Sequence, residues 1–486
     1  MGEEEKNPTV EIEGARAPDE IGGAAGWERG GRGRGRVSDR DLTQGSITKN
    51  LWLLAGPAIA ENVMNTVDTS IDMIWVGRLG AGSIAAVGVG GNLVQLISTA
   101  RMGLTTGTRA MVSRFVGADD LPSANHATLQ AFVLSAAFAF FMATIGIFFA
   151  KPMLQLLGLK PDVIAQGLGY VQIAFVGSAF MSFRMNTNAV LQASGDMMTP
   201  MKITALIRII HVVIDPFLIF GWLGLPRMGV TGAAVANLIT QAIGSVIGLY
   251  VLFTGYSRLK VTFKNFRVDF AILWRMIKIG IPATISSVER SFTATVLLRI
   301  IATFGTYAIA AHTLGARVEM FAMSLGWGGL ATAVATMVGQ NLGARKPERA
   351  ERSAWVALGF YWLIMAILGT IFLLQAENVI RIFNSDPELV KIGSTFLRIA
   401  VAGYLFMAPA MLLSQALGPG AGDTVPPMLV SIVGTWGIEL PLAVFLPRIT
   451  SLGVYGVRWA SVIAMAVRAV AITGWFRQGR WKLRKV

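Results

Sequence analysis

The segment from Leu51 to Asn92 constrains this chain most, because it is long and apolar enough to cross a membrane and yet contains charged residues. A membrane-spanning helix needs about 20 mostly apolar residues. This one carries Glu61, Asp68 and Asp72. A charged side chain at the bilayer centre costs about 3 kcal/mol on insertion scales, so such residues normally face a cavity and act there.

Asp68 and Asp72 are four residues apart, which places them one turn apart on the same helix face. Two carboxylates this close do not both ionise easily in a low dielectric. Such a pair suits a machine driven by protons or cations. The other interpretation, a carboxylate bonded to backbone amides at a helix end, stays open for Asp68, Asp72 and Glu61. Pro57 lies in the same segment.

Composition indicates a polytopic membrane protein. Of the 486 residues 53% are hydrophobic and only 14% are charged, against about 25% charged in ordinary soluble chains. The net charge of +14 would suggest nucleic acid in a soluble protein. Here the basic residues gather at the termini and in particular loops, as the positive-inside rule describes, so no nucleic-acid partner is expected. With no cysteine and three scattered histidines, a thiolate or transition-metal centre is not expected.

The predicted fold is all-α, with twelve transmembrane helices. The predicted spans lie near 50–77, 85–112, 123–150, 161–183, 197–222, 229–254, 272–303, 308–338, 350–375, 388–415, 425–447 and 453–476.

Around these spans we predict a disordered basic tail over 1–45, a first lobe over 46–254, a linker over 255–271, a second lobe over 272–476 and a basic tail over 477–486. The Gly- and Arg-rich first tail lacks the apolar core of a signal peptide. Arg-Gly runs can bind RNA or anionic lipid, but an anchor in the cytoplasm is preferred. The even-numbered loops are the more basic, which predicts a multi-pass protein of the cell membrane with both termini in the cytoplasm.

The chain also repeats itself at an offset of 223 to 227 residues. The matching pairs, in order, are Pro57 and Pro282, Gly117-Ala118 and Gly343-Ala344, Gln192-Ala193 and Gln415-Ala416, Gly195-Asp196 and Gly422-Asp423, Pro216 and Pro441, and Gly229-Val230 and Gly453-Val454. A unit of six helices keeps both copies in the same orientation. The pattern therefore predicts two lobes related by a pseudo-twofold axis along the membrane normal, with the substrate path between them.

The chain has no G-x-x-x-x-G-K-[ST] phosphate loop and no hydrolytic constellation in a suitable position, so neither ATP hydrolysis by this chain nor an enzyme is predicted. A secondary transporter is predicted instead. At an offset of 225, Asp68 and Asp72 correspond to Thr293 and Leu297. The buried acids are thus concentrated in the first lobe, which we predict to be the half that binds the coupling ion.

The fifth predicted helix adds His211 and Asp215, again four residues apart. Such a pair could exchange protons near neutral pH, or it could be a structural ion pair. Pro216 frees a backbone carbonyl nearby. Asn237, in the sixth helix, is either a carbonyl ligand or a helix–helix hydrogen-bonding residue.

In the second lobe, Glu289 could attract a cationic substrate, or it could pair with Arg290 or with an arginine of another helix. Met320, Met323 and Trp327 could line an adaptable apolar cavity, since methionine suits promiscuous surfaces, or could simply pack between helices.

These motifs resemble the multidrug and toxic compound extrusion (MATE) transporters, and most closely their DinF-like/archaeal branch. The similarity covers about 46–476. It rests on D-x-x-W-V-G-x-L-G from Asp72, the two Gly-Ala motifs, L-Q-A-S-G-D-x-x-T-P at 191–200, I-D-P at 214–216 and G-V-T-G-A-A at 229–234. The resemblance implies two six-helix lobes that export organic cations or amphiphiles in exchange for Na⁺ or H⁺.

The resemblance also implies a coupling site at Asp72, His211, Asp215 and Asn237, with Na⁺ a candidate ion at Asp72, Asp215 and Asn237, and a helix that bends at Pro57. Three residues depart from the family pattern: His211 stands for an asparagine, Asn237 for a hydroxyl residue, and Asp68 for an aromatic residue. Because Na⁺ is a hard cation that prefers oxygen ligands, His211 weakens the Na⁺ assignment, and protonation fits at least as well. Glu289 corresponds to a seventh-helix glutamate of another branch.

The predicted function is therefore a multidrug efflux antiporter that works by alternating access in the lipid bilayer, acts as a monomer and needs no cofactor beyond the coupling ion. The first alternative is a flippase for lipids or lipid-linked oligosaccharides, which requires a cationic cavity; Arg208, Arg299 and Arg317 are its candidate residues. The second is a receptor or scaffold that binds partners through the Arg-Gly tail.

Overall fold

The computed structural model describes residues 41–79, 81–156, 161–224, 226–264, 266–324, 326–484 and 486. This part of the chain is helical and contains no strand. Its α-helices are α1 (Ile47–Gly77), α2 (Ala81–Gly117), α3 (Leu121–Leu156), α4 (Pro161–Ala193), α5 (Met198–Phe220), α6 (Val230–Thr254), α7 (Phe270–Ala302), α8 (Thr306–Ser324), α9 (Trp327–Gly343), α10 (Pro347–Arg381), α11 (Pro387–Gln415), α12 (Val425–Ile432), α13 (Leu440–Ile449) and α14 (Val454–Gln478).

Within the described residues, eight helical segments are long and apolar enough to cross a membrane, and α8 with α9 forms a ninth if the bent pair is one span. The remaining long helices are α1, α2 and α4, with 31, 37 and 33 residues. Glu61, Asp68 and Asp72 lower the hydropathy of α1, and buried arginines do the same in α2 and α4. Counted together, these segments give the twelve predicted spans.

Two predicted spans are present but are not regular α-helices throughout. The eighth, 308–338, consists of α8 and α9, which are bent by 45° between Ser324 and Trp327. Glycine allows the start of α9 to pack closely on α1, because a Cβ at Gly329 would overlap Ile59. The eleventh, 425–447, is interrupted by a π-helix over Val433–Glu439. There the Arg468 side chain fills the space in which a Cβ of Gly434 would lie.

The internal repeat extends to backbone angles. Gly229, which precedes α6, has φ 56° and ψ −131°, and Gly453, which precedes α14, has φ 52° and ψ −133°. Glycine adopts this region without the steric cost that a Cβ brings. The correspondence also holds at a pair of equivalent positions that carry side chains: Asp119 has φ 60° and Arg345 has φ 57°. The two halves of the chain therefore make the same turns at the same places.

Glycines also set the contact between the halves. Helix α2 crosses α7 where Gly103 meets Gly280, with no room for a Cβ on either residue. Further along, a Cβ on Gly117 would overlap the backbone of Gln340, and a Cβ on Gly343 would overlap that of Arg114. The Gly-Ala motifs of the two repeats thus lie at one close crossing of α2 and α9, at the end of the molecule that carries the basic loops.

The residues before α1 are packed against this end. Leu42 is 1% exposed and belongs to the same apolar core as α1, α9 and α10. Lys346 donates to the Thr43 carbonyl at 3.0 Å, and Arg349 donates to the carbonyls of Gln44 and Gly45 at 2.8 and 2.9 Å. The last residues of the predicted tail are therefore part of the packed body, while residues 1–40 lie outside the described residues.

Candidate functional site

Helices α1 and α5 lie side by side in the first lobe and bring one histidine to three carboxylates. His211 Nδ1 lies 3.0 Å from an Asp68 oxygen and 3.5 Å from an Asp72 oxygen, and its Nε2 lies 3.7 Å from Asp215. His211 and Asp215 are each 1% exposed and Asp68 is 3% exposed. We call Asp68, Asp72, His211 and Asp215 the His211 cluster. The sequence predicted Asp68 and Asp72 on one face of one helix, and His211 and Asp215 on one face of another. In the structure these two faces contact each other.

Arg208 also belongs to this site, although the sequence analysis did not place it there. Its Nη1 lies 2.5 Å from an Asp68 oxygen, and its Nε donates to the Asn65 side chain at 3.0 Å. It precedes His211 by three residues, so both side chains project from one face of α5 towards α1. That spacing was the available signal, although nothing in it identifies Asp68 as the partner. Asp68 is thus occupied by Arg208 and His211, whereas no arginine among the described residues pairs with Asp72 or Asp215.

The carboxyl groups of Asp72 and Asp215 lie close enough for one to donate a hydrogen bond to the other when it is protonated. When both are ionised, Asp72 Oδ1 and both oxygens of Asp215 accept no hydrogen bond from the described residues. Two anions held this close in a water-poor site repel each other, and one proton shared between them removes the repulsion. This pair is therefore built to take up one positive charge.

Asn237 does not join the cluster. Its side chain is exposed on α6, and no hydrogen bond between it and Asp72 or Asp215 occurs among the described residues. Among the described histidines, aspartates and glutamates, Asp68, Asp72 and His211 have ligand atoms close enough to hold a metal ion, within 4.8 Å of one another. Binding of Na⁺ by Asp72, Asp215 and Asn237 stays a prediction.

Pro57 lies inside α1, which continues through it without interruption. Proline has no N–H to donate to the carbonyl one turn earlier. Beyond it, side chains compete for the helix carbonyls: Asn62 donates to Ala58, Thr66 to Asn62, and Ser70 to Thr66, at 2.7, 3.0 and 2.9 Å. Such back-bonding weakens the regular ladder and favours bending. The half of α1 that carries Asp68 and Asp72 is thus a deformable helix.

Glu289 is buried between α7 and α12. Its two oxygens accept hydrogen bonds from Ser431 at 2.7 Å and Thr293 at 3.2 Å. The alternative of a pair with an arginine is not observed: among the described residues no arginine pairs with Glu289, and Arg290 donates to Ser287 instead. The role of attracting a cationic substrate stays a prediction. Hydroxyls satisfy this carboxylate and connect the two helices.

Glu61, the third acid of α1, is the centre of a second buried network. It accepts hydrogen bonds from Asn188 and Thr204 at 3.1 Å and from Gln192 at 3.4 Å. Arg109 in turn donates to Gln192 at 2.6 Å. These contacts tie α1 to α4, α5 and α2, and they support a structural role for Glu61.

None of the three arginines named as candidates for a flippase is both buried and without an acidic partner. Arg208 is paired with Asp68, and Arg299 and Arg317 are exposed. The first lobe does bury other arginines that sequence reasoning passed over. Arg101 is 1% exposed, and its Nε and Nη2 find no partner among the described residues.

A family model described as MatE matches this chain twice, over residues 57–217 and over 282–445, and these matches cover more than half of its length. The chain belongs to the MatE family. The two matches start at Pro57 and Pro282, so the family model also confirms the repeat and its offset.

Relatives of known name agree. The chain is similar to a probable multidrug resistance protein NorM of Thermotoga maritima, with 26% identity over 90% of this chain and 94% of the relative. It is similar to an FAD transporter of Shewanella oneidensis, with 25% identity over 71% of this chain and 76% of the relative. A solved outward-facing multidrug resistance MATE transporter has 24% identity and a TM-score of 0.84, and the match covers 91% of this chain and 97% of that one.

These similarities confirm the all-α fold with twelve spans in two lobes. As a MatE family member the chain is a multi-pass membrane transporter and not an enzyme, and its substrates are small molecules.

Proposed function

We propose that this protein is a secondary active multidrug antiporter, which exports organic cations or amphiphilic compounds in exchange for protons. The observation that carries the proposal is the His211 cluster, a buried group of three carboxylates and one imidazole beside a deformable α1. The related proteins named for multidrug resistance support the substrate class.

Three features favour H⁺ over Na⁺ as the coupling ion. Asp72 and Asp215 can share one proton, which removes the repulsion between the two carboxylates. The ligand set Asp68, Asp72 and His211 offers a nitrogen where Na⁺ prefers oxygen. Asp68 is also committed to Arg208, which lowers the negative charge available to a metal ion.

Protonation changes which shape of α1 is favoured. With Asp72 and Asp215 ionised, their repulsion keeps α1 and α5 apart. With a proton between them, the helices can approach, and the weakened ladder beyond Pro57 allows α1 to bend. A ligand can shift a conformational equilibrium only by binding one state better, and the shared proton provides that difference.

The proposal extends to the setting of the protein. We propose that the basic end faces the cytoplasm, since basic loops are retained on that side. The protein would then lie in the cell membrane with both termini inside, and it would act as a monomer without a cofactor.

A second candidate function is the transport of an anionic amphiphile or lipid. Arg101 favours it, because the only acceptor of this buried guanidinium among the described residues is the Met185 sulfur, 3.9 Å from Nη1, while Nε and Nη2 have none. The guanidinium also lies within electrostatic range of the second buried arginine, Arg184. The named FAD transporter is a relative consistent with anionic cargo.

The test is ethidium efflux from proteoliposomes with pH and Na⁺ gradients imposed separately. We expect efflux in response to the pH gradient alone, and its loss in Asp72→Asn and in Asp215→Asn. Glu377→Gln is the matched control, since Glu377 forms an exposed ion pair with Arg398 on the far lobe. Efflux driven by Na⁺ alone would assign the other ion. If the folded wild type exports no ethidium in response to either gradient, the second candidate is favoured.

A further inference from the structure

A cavity of about 260 Å³ lies at the basic end of the molecule, where the start of α1 faces α10. Its lining includes Ile47 and Thr48 of α1 and Arg349, Arg352 and Val356 of α10. Pockets for drug-sized ligands start at about 300 Å³, so this cavity suits a smaller group. Two guanidinium groups at its wall favour a phosphate, which arginine binds through two parallel hydrogen bonds.

Arg352 is the residue of this cavity with the most capacity to bind an anion. It is exposed, and among the described residues it forms no hydrogen bond or ion pair. The nearest acids along α10 leave it unpaired, since Glu351 is engaged by Lys482 and Glu348 does not reach the guanidinium. Arg349 adds a second positive charge at the same wall. No acid in the described part of the chain forms an ion pair with either arginine, so the cavity is positively charged.

An apolar groove continues from the arginines along the same two helices. Arg352, Val356 and Leu363 are separated by four and then seven residues, which places them on one face of α10. The Trp52 ring of α1 packs edge-on against Phe360 beside this face, with ring centroids 5.3 Å apart. Trp52 is 40% exposed and Leu363 is 57% exposed, so the groove is open to its surroundings. Tryptophan is enriched at the membrane interface, which places the cavity at the level of the lipid headgroups.

From these features we infer that the cavity and the groove together bind an anionic phospholipid. The phosphate lies against Arg352 and Arg349, and an acyl chain lies along Trp52, Val356 and Leu363. The positive charge of the cavity selects an anionic headgroup, since basic residues near the bilayer surface attract anionic lipids. The groove that continues from the arginines fits a lipid better than a free phosphate. Helix α1 belongs to the first lobe and α10 to the second, so the lipid contacts both lobes where they meet.

The bound lipid also contacts the segment before α1. Arg349, which lines the cavity, donates from Nη2 to the carbonyls of Gln44 and Gly45 at 2.8 and 2.9 Å. A phosphate beside Arg349 therefore lies where this segment joins α10. Because the lipid binds the folded protein at a junction of the two lobes, an anionic lipid should raise the unfolding temperature more than a zwitterionic lipid does.

The absence of cysteine from the chain allows a local test. In Thr48→Cys, a maleimide can react only at the introduced thiol, which lies at the cavity. Labelling in nanodiscs of phosphatidylglycerol should be slower than in nanodiscs of phosphatidylcholine, about fivefold or more, because a lipid that saturates the site covers the thiol. Ala271→Cys, at an exposed position in the first turn of α7, is the control for the general effect of a negative surface, and its rate should change much less. If Thr48→Cys does not fold, Val356→Cys serves in the same assay.

A second measurement addresses the charge. Arg352→Gln in the Thr48→Cys background should remove most of the difference between the two kinds of nanodisc. Arg275→Gln, which changes an exposed arginine of α7 outside the cavity, should preserve that difference. In detergent micelles, Arg352→Gln should need about fivefold more phosphatidylglycerol than the wild type for the same rise in unfolding temperature, since one basic contact to the lipid is lost.

Three outcomes would overturn the inference. Equal labelling of Thr48→Cys in both kinds of nanodisc would exclude the site. Equal losses in Arg275→Gln and Arg352→Gln would show that the basic end attracts anionic lipid without a defined site. Slower labelling with inorganic phosphate alone, in phosphatidylcholine nanodiscs, would assign the cavity to a free anion. None of these measurements involves the His211 cluster, so the proposed antiport is tested separately.

Discussion

Asp68 and Asp72 lie one helical turn apart on α1, yet their surroundings differ. Asp68 is held by Arg208 and His211, whereas Asp72 is part of a carboxylate pair with Asp215. A buried charge that is already paired contributes to structure, and one that lacks a fixed partner is available to a mobile ion. Two identical side chains therefore have different surroundings, because α5 offers an arginine to one and an aspartate to the other, and the proposed function gives them different roles.

Asp68→Asn tests the structural role. The substitution leaves the half-buried Arg208 without its anion, and because breaking a fully buried pair costs about 3–5 kcal/mol, a loss of about 1–3 kcal/mol is expected here. We expect a clearly lower unfolding temperature in detergent micelles. Glu377→Gln, which breaks an exposed pair, should change stability by less than about 1 kcal/mol. Equal unfolding temperatures for Asp68→Asn and the wild type would contradict the assignment.

The sequence predicted the members of the His211 cluster, because a spacing of four residues fixes which side chains share a helix face. It did not predict the Arg208–Asp68 pair, since the two residues are 140 positions apart and only the packing of α1 on α5 joins them. Asn237 is a second case in which helix packing decides: its helix was predicted, but the direction of its side chain depends on how α6 packs.

At the scale of elements, the described helices differ in how firmly they are held. Helix α7 starts at a well-formed cap, where Asp269 accepts hydrogen bonds from the amides of Ala271 and Ile272 at 2.9 and 3.2 Å. Helix α1 instead combines Pro57 with side chains that bond to its own carbonyls. Helix α7 is therefore fixed at its N-terminus, whereas α1 has features that favour bending.

Pro57→Ala tests that difference. Alanine restores the N–H that a regular helix donates and favours the straight form, so we expect slower ethidium efflux with unchanged or higher thermal stability. Pro152→Ala, at an exposed proline inside α3, is the control and should leave efflux unchanged. Wild-type efflux in Pro57→Ala would show that bending at this residue is not needed.

The cap of α7 gives a prediction about pH. Hydrogen bonds from the Ile272 and Ala271 amides lower the pKa of Asp269 below its ordinary value of 3.8. A lowered pKa in the folded state means that the stabilisation is present above the unfolded-state pKa and is lost as the pH falls through the folded-state pKa. Asp269→Ala should therefore unfold at a lower temperature than the wild type at pH 7, and the difference should shrink below about pH 4. A difference that persists at about pH 2 would contradict the cap.

At the scale of the whole molecule, the repeat decides where the halves meet. Proline and glycine pairs predicted it, because backbone requirements survive when side chains diverge, and the paired angles of Gly229 and Gly453 agree. The breaks inside the eighth and eleventh spans were not predicted. They depend on α1 packing at Gly329 and on Arg468 packing at Gly434, which are contacts between distant parts of the chain.

Gly343→Ala tests the crossing of α2 and α9. The added Cβ would overlap the Arg114 backbone, so the helices must separate, at a cost of about 1–3 kcal/mol. We expect a lower unfolding temperature. Gly359→Ala is the control, since nothing lies within 4 Å of its would-be Cβ. If both variants unfold at the wild-type temperature, the close crossing is not a stabilising contact.

The short segment before α1 has a mechanical consequence. It continues directly into the first lobe, but Lys346 and Arg349 of the second lobe hold its carbonyls. It therefore bridges the seam between the lobes like a strap. Separation of the lobes at this end must either peel the strap from the second lobe or strain the start of α1. In the proposed alternating-access cycle, the balance between the two orientations would thus be partly set at the water-exposed rim, where substitutions could change it without altering any residue inside the membrane.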